Sequence, residues 1–310
     1  MSRKSLALAG AAAGAALFVR TRVKHAARRH PPSGRFLHVD GVRLHYLDAG
    51  FGRSIVFLHG LGSMVQDFAL SGVLAQAARE YRVIAFDRPG YGYSERPRGR
   101  AWTPSAQARL LREALRELGA ARPIVVGHSW GCLVALAYAL EFPEEIHGLV
   151  LASGVYYPTL RADAPLLVPP AIPLIGPLLR HSLSPLLGRL LWPLWLRLIF
   201  APMPVPGYFS RFPAWLALRP GQLRAVAEEA ATVLPWVSAW RRRYAEVRAP
   251  TAIVAGESDR YVFTARHSLR LHHEIGHSMF LPVPGAGHMV HHAAPESIVR
   301  AARMLQEGPA

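Results

Sequence analysis

A serine stands between two glycines in Gly127-His128-Ser129-Trp130-Gly131, where an apolar run, Ile124-Val125-Val126, gives way to a Leu- and Ala-rich segment without a breaker before Pro143. That succession reads as a strand, a sharp turn and a helix, with the serine at the apex. A serine hydroxyl attacks a carbonyl only once a base takes its proton, and the carbonyl oxygen needs N–H donors waiting where its charge develops. A strained strand-to-helix turn holds Oγ clear of the sheet and supplies one such donor, the backbone N–H of Trp130. Gly127 and Gly131 omit the Cβ atoms that so tight a turn would not admit.

Taken alone, such a five-residue pattern arises in roughly one chain in ten of this length, so the surroundings decide. Residues 54–59 form a second buried-strand run, leading into Gly60-Leu61-Gly62-Ser63. Residues 251–256 form another, leading into Glu257-Ser258-Asp259, and Gly285-Ala286-Gly287-His288 follows later. Ser129, Asp259 and His288 thus occur in the order nucleophile, acid, base that an α/β hydrolase requires.

With His59-Gly60, Asp87-Arg88-Pro89-Gly90-Tyr91-Gly92-Tyr93-Ser94, the Ser129 turn, Asp259 and Gly287-His288 in order, residues 36–305 resemble the α/β-hydrolase superfamily, in its serine-nucleophile, esterase- and lipase-like branch. The resemblance implies an α/β fold: a mostly parallel sheet flanked by helices, with a helical cap inserted between core strands. It implies Ser129 as nucleophile, His288 as proton shuttle and Asp259 as the carboxylate that orients it. It also puts a second oxyanion donor on the residue after His-Gly, the backbone N–H of Leu61. Glu257 and, more distantly, Asp163 stay open as rivals to Asp259. His59 is expected to be structural, and the Asp87–Ser94 loop to lie near the floor of the site. Dehalogenases and epoxide hydrolases of the superfamily carry aspartate at the apex, and the proline-containing oxyanion turn of proline iminopeptidases is absent at residues 60–63.

The 310 residues, 51% of them apolar, suffice for one large core with an insertion and a tail. A hairpin signal at Asp40-Gly41 opens the core, assigned to residues 35–155 and 246–310. Residues 104–118 read as an amphipathic helix. Residues 156–245 lack strand alternation, and their prolines, among them Pro185 and Pro193, break an apolar run; they form the expected cap, with no stretch long enough to span a membrane. Its Leu, Trp and Phe content suits a lipophilic substrate or bilayer contact, and packing onto the core accounts for it equally well.

A formal charge of +16 would indicate nucleic acid if concentrated, but apart from eight basic residues in the first 35 it is spread, and no nucleic-acid motif occurs. Residues 1–34 read as a membrane anchor. The uncharged run 5–19 is followed by Arg20, Arg22, Lys24, Arg28 and Arg29. Fifteen helical residues reach about 22 Å against roughly 30 Å of hydrocarbon, and snorkelling cations make up the difference. The heavier positive cluster after the run favours an uncleaved anchor with the catalytic domain cytoplasmic. A cleaved signal peptide with secretion, and an amphipathic tail on a soluble cytoplasmic protein, stay open.

The single cysteine, Cys132, excludes an internal disulfide and reads as a small buried hydrophobe. His267, His272, His273 and His277 have no metal-motif spacing and read as solvated, and His291 and His292 as neighbours without a role. No metal and no cofactor are expected. The resulting expectation is a serine hydrolase cleaving carboxylic esters of hydrophobic small molecules through an acyl-enzyme, with a lipophilic ester as its partner and membrane contact through residues 1–30 and the cap. Thioesterase, C–C bond hydrolase and cofactor-free haloperoxidase activities use the same triad. A non-catalytic, membrane-tethered binding protein is the alternative of another class. Substrate identity and oligomeric state are not legible.

Overall fold

The structure, a computed structural model, describes residues 3–159 and 163–307. The β-rich runs pair into one sheet in the order β1-β2-β4-β3-β5-β6-β7-β8. β1 (Arg35–Val39) and β2 (Val42–Ala49) make the expected hairpin, and Asp40 and Gly41 both take positive φ, 49° and 71°, as the tight turn demands. β1 pairs antiparallel with β2, and β2 with β4 (Arg82–Phe86). β3 (Ser54–Leu58), β5 (Ile124–His128), β6 (Gly148–Ala152), β7 (Thr251–Gly256) and β8 (Met279–Val283) join β4 in parallel. Every residue of β3, β5, β6 and β7 is buried, which is why these strands carry unbroken apolar runs rather than alternation.

Helices fill the connections and cover both faces. α1 (Arg3–Arg29) precedes the sheet, α2 (Val65–Ser71) and α3 (Val73–Ala77) join β3 to β4, α4 (Pro104–Glu117) leads into β5, and α5 (Gly131–Glu141) into β6. α4 starts where Thr103 Oγ1 accepts the Ala106 N–H at 3.1 Å and Pro104 presets the first turn. Its stripe of Leu110, Leu111, Ala114 and Leu115 is buried with α5 on one side of the sheet. Between β6 and β7 the described residues form helices and short turns alone: α6 (Ala164–Leu167), α7 (Ile175–His181), α8 (Leu183–Phe200), α9 (Ala214–Ala217) and α10 (Pro220–Trp240). α11 (Ser268–Glu274), α12 (Val290–Ala293) and α13 (Pro295–Glu307) complete the chain, with α13 packed on the opposite face from α5.

Pro193, expected to break the 156–245 segment, does not: α8 runs through it for 18 residues, and so reaches a length and apolarity sufficient to cross a membrane, contrary to expectation. α10 likewise runs through Pro235 for 21. A mid-helix proline removes one N–H and crowds the carbonyl a turn earlier; Pro193 lies on the exposed side of α8, where water can serve the freed carbonyl. α1 likewise outruns the uncharged run and continues to Arg29. Its Val19 and Ala26 are buried, and it lies against α7, α8 and α9, with Phe18 edge-on to Trp215 at 6.0 Å.

Ion pairs fasten this helical segment to the loop after β4, with Arg96 on Glu228 at 2.8 Å and, more deeply buried, Arg88 on Glu229. Arg88, after β4, donates through Nη1 to both oxygens of Glu229 on α10 at 2.8 and 3.0 Å, with both side chains 1% exposed. Tyr91 and Gln107 donate to the same carboxylate at 2.7 and 2.9 Å. Gln222, also on α10, donates to the Gly62 and Ser63 carbonyls at 3.3 and 3.2 Å. Removing Glu229 strands a guanidinium that cannot give up its charge. Glu229→Ala is therefore expected to lose about 3–5 kcal/mol in denaturant unfolding. Cutting the exposed Arg43–Glu95 pair by Arg43→Ala should cost less than about 1 kcal/mol.

Candidate active site

The turn from β5 into α5 places Ser129 at φ 53°, in the left-handed region that a side chain occupies at a cost of roughly 1–3 kcal/mol. Its N–H donates to the Ala152 carbonyl at 2.9 Å, which ties the apex to the end of β6. A Cβ on Gly127 would lie 2.6 Å from the Cys132 Cα, and one on Gly131 only 2.2 Å from the Leu58 carbonyl oxygen. Both obstacles are backbone, so neither can give way. Cys132, directly behind, is fully buried, and burial pushes its thiol up to about 12.

Asp259 and His288 come from loops after β7 and β8, which run side by side. A Cβ on Gly256 would meet the Gly287 carbonyl at 2.2 Å, and the Ser258 N–H donates to the Ala286 carbonyl at 2.9 Å. This closeness brings the two side chains together: His288 Nδ1 lies 2.9 Å from Asp259 Oδ2. An ionised carboxylate only accepts, so Nδ1 carries the proton, and Nε2 is left to accept from the Ser129 hydroxyl, also at 2.9 Å. Burial alone would raise the Asp259 carboxyl. The adjacent imidazole, and the Val262 and Tyr261 amides on the other oxygen at 2.9 Å, outweigh it and hold the group below the usual carboxylate range. Of the two rivals, Glu257 is exposed, and Asp163 accepts from the Tyr261 hydroxyl at 3.0 Å.

Leu61 and Trp130 line the same cavity as Ser129 and His288. The Gly60 carbonyl accepts from His59 Nδ1 at 2.8 Å and from Arg88 Nη2 at 3.2 Å. The C=O and N–H of a trans peptide point in opposite directions, so anchoring this carbonyl also sets the direction of the Leu61 N–H. His59 Nε2 accepts from the Arg88 amide at 3.0 Å, which makes its ring neutral; burial first, then the Arg88 charge, lower its pKa to about 4. The guanidinium of Arg88 also covers the Trp130 ring at 4.4 Å.

The structure corrects three histidine readings. His291 and His292 are buried, and both pair with Asp67 of α2, their Nε2 atoms 3.3 and 2.8 Å from its oxygens. Ser63, in the turn after β3, donates to the same carboxylate at 2.9 Å, and Tyr208 of the helical segment to His292 Nδ1 at 3.1 Å. Asp67 thus joins the turn after β3 to the segment that carries His288. His267 is buried too, accepting from the Tyr156 and Tyr157 amides at 3.1 and 3.3 Å, whereas His273 and His277 are exposed as expected. His128 donates to the His288 carbonyl at 3.2 Å. Sequence signals for Asp67, Arg88 and Glu229 as partners in this network are lacking, because each partner lies in a remote segment. Among the described residues Asp67, His128 and His291 bring potential metal ligand atoms within 4.8 Å of one another, but the Asp67 oxygens are already taken by three protein donors.

A serine, a histidine and an aspartate gathered at the carboxyl ends of parallel strands, beneath a helical insertion, define the hydrolase class of α/β fold. The chain belongs to that family: residues 53–295 match the alpha/beta hydrolase fold. It is 30% identical to haloalkane dehalogenase 2 of Mycobacterium tuberculosis over 129 residues, 42% of this chain and 44% of that one. It is 33% identical to the 2-hydroxy-6-oxo-2,4-heptadienoate hydrolase of Pseudomonas putida over 123 residues, 39% of this chain and 45% of that one. The match thus spans less than half the length of these relatives. Among solved structures, a bacterial membrane phospholipase A superposes with a TM-score of 0.70 at 21% identity, covering 98% of this chain and 95% of that one, a likeness of fold.

Burial lowers the pKa of His59, His128 and His291 from 6.5, that of His59 to about 4. The unfolded chain therefore binds more protons than the native one once the pH drops below 6.5, so their contribution is complete above that pH and is lost on the way down, that of His59 by about 4. The loss should reach roughly 3 kcal/mol for His59 alone. Urea midpoints should fall steadily across this window. A flat profile would mean that the native imidazoles are already charged or solvated.

Proposed function

We propose that the protein is a serine hydrolase that cleaves carboxylic esters of hydrophobic small molecules through an acyl-enzyme. The observation that carries this reading is the His288 imidazole, held 2.9 Å from the Ser129 hydroxyl by a carboxylate on its other nitrogen. Nε2 takes the hydroxyl proton as Oγ bonds to the ester carbon, and the carbonyl electron pair moves onto oxygen. The amides of Leu61 and Trp130 receive that oxyanion, while Asp259 stabilises the imidazolium. Collapse reforms the carbonyl and expels the alkoxide, which takes the proton from His288 and leaves as the alcohol. Water, deprotonated by His288, then attacks the acyl carbon; collapse breaks the bond to Ser129 Oγ, which takes the proton back from His288, and the acyl group leaves as the carboxylic acid. No cofactor enters these steps.

The cavity above Ser129 supports an apolar substrate: Val155, Leu167, Trp195, Ile199, Phe209 and Phe212 form its walls. The helical segment that supplies most of them serves as a cap that excludes water from the acyl-enzyme. A second reading, cleavage of a C–C bond beside a carbonyl on the same triad, is favoured by the likeness to the Pseudomonas putida hydrolase. The likeness to a haloalkane dehalogenase weighs less, since Ser129 occupies the apex where that chemistry uses aspartate. A binding protein without turnover would have no use for the assembled triad. We further propose that α1 anchors the protein in a membrane, with the catalytic domain on the cytoplasmic side where its Arg and Lys cluster stays.

A fluorophosphonate probe should label the wild-type serine and leave Ser129→Ala unmarked. Asp259→Asn should lower kcat by about 10⁴-fold, because the imidazole loses its tautomer and its counter-charge. Equal hydrolysis of an ester panel by wild type and Ser129→Ala would sink the reading, and turnover of a vinylogous diketone without ester turnover would move it to the C–C bond. The full chain should stay with membranes through an alkaline carbonate wash that releases a chain lacking residues 1–30. Release of both would refute the anchor.

A further inference from the structure

The cap turns its most apolar face outward. Along α8, Leu183, Leu187, Leu190, Leu194 and Leu198 recur every three or four residues and so form one stripe. Their exposure runs from 39% at Leu187 to 74% at Leu190. The adjoining α7 adds Ile175 and Leu178 at 55% and 59%, and Leu174 just before it is 93% exposed. By length and composition α8 could cross a membrane, with a mean hydropathy of 1.2 over 18 residues, yet only 17% of it is buried in the protein. It cannot leave the cap to do so, because Ile199 and Phe200 at its end pack with Met64 and Met289 beside the site. A helix held this way can only lie along a surface.

Charge and continuity indicate which surface. No acidic residue occurs between Asp163 and Glu228, a stretch in which Arg189, Arg197 and Arg211 are exposed. α1, packed against α7 and α8, carries no acid either; its Leu17 and Phe18 are 66% and 50% exposed, and Arg20, Arg22, Lys24, Arg28 and Arg29 follow, all exposed. Leucines rimmed by cations and free of carboxylates match acyl chains beneath anionic headgroups. Two copies of this face set against each other would bring like charges together.

The same face leads inward. A groove of about 330 Å³, walled by Leu187, Leu194 and Leu198 of the exposed stripe, shares Gly62, Leu167 and Trp195 with the cavity of about 60 Å³ above Ser129.

We propose that the α7–α8 face is a docking surface for an anionic lipid bilayer, lying in the membrane plane beside α1 and opening its groove to esters carried in the lipid. The surface stands independently of the ester-hydrolase reading, and only the use of the groove rests on it.

The test uses the full chain carrying Ser129→Ala, so that its outcome does not depend on turnover. Cys132 is buried and its thiol raised to about 12, so a new surface cysteine alone takes a thiol-reactive, polarity-sensitive fluorophore. At Leu190→Cys the emission should shift to the blue, and lose quenching by aqueous iodide, on adding phosphatidylcholine vesicles that contain phosphatidylglycerol. The response should weaken with pure phosphatidylcholine or high salt. A label at Phe51→Cys, exposed at the opposite ends of the strands, should not respond. Pairing Leu178→Glu with Leu190→Glu should weaken vesicle partitioning by about 10-fold or more, and in a chain with Ser129 intact should leave turnover of a water-soluble ester unchanged.

A response at Leu17→Cys without one at Leu190→Cys would overturn the proposal in favour of docking by α1 alone. A shift at Leu190→Cys that follows protein concentration without vesicles would overturn it in favour of self-association. Ester turnover without the vesicle response removes the docking surface and keeps the hydrolase; the vesicle response without turnover does the reverse.

Discussion

The turn at Ser129 is first of all a steric constraint. A strand and a helix approach so closely there that Gly127 and Gly131 face backbone atoms where any other residue would put a Cβ, and the serine between them accepts a left-handed φ of 53°. Such strain persists only where the surroundings over-determine it. They do: β5 is buried along its whole length, α5 is buried through most of its turns, and the Ser129 amide is tied to β6. The hydroxyl is thereby fixed relative to the sheet edge, and the loops after β7 and β8 need only reach that edge to deliver Asp259 and His288.

The opposite wall of the site depends on buried polar groups. His59 and Arg88 hold the carbonyl of the Gly60–Leu61 peptide, Arg88 is neutralised by Glu229 of α10, and Gln222 of α10 holds the carbonyls of Gly62 and Ser63. The helical segment and the turn after β3 are therefore joined through buried polar contacts, and a shift of α10 would disturb the Gly60–Leu61 peptide. Asp67 makes a similar link between Ser63 and the segment that carries His288. Buried groups of this kind are costly unless fully paired, and pairing them confines the loops they join.

Much of the site was legible in the residues because its parts are local. Asp40-Gly41 announces its own turn, the runs in β3, β5, β6 and β7 announce buried parallel strands, and the glycines around Ser129 announce a backbone with no room. Their order along the chain, set beside the family resemblance, was enough to single out Ser129, His288 and Asp259, which the fold brings within hydrogen-bonding distance. The pairs that were not legible are remote: Arg88 and Glu229 lie 141 residues apart, and Asp67 and His292 lie 225 apart. Nothing local to His291 or His267 distinguishes a buried, paired imidazole from a solvated one, and nothing local to Pro193 tells whether a helix will absorb it.

Residue type and spacing by themselves determined the strands of the sheet and the strained serine turn, because steric exclusion and apolar periodicity act over a few neighbouring residues. Tertiary structure alone decided which carboxylate would meet the imidazole, which polar groups would fasten the helical segment to the turn after β3, and which apolar residues would remain outside. Leu190 and Ile199 are both aliphatic residues of α8, yet one is 74% exposed and the other 2%, and only the packing of the helix against its neighbours separates them.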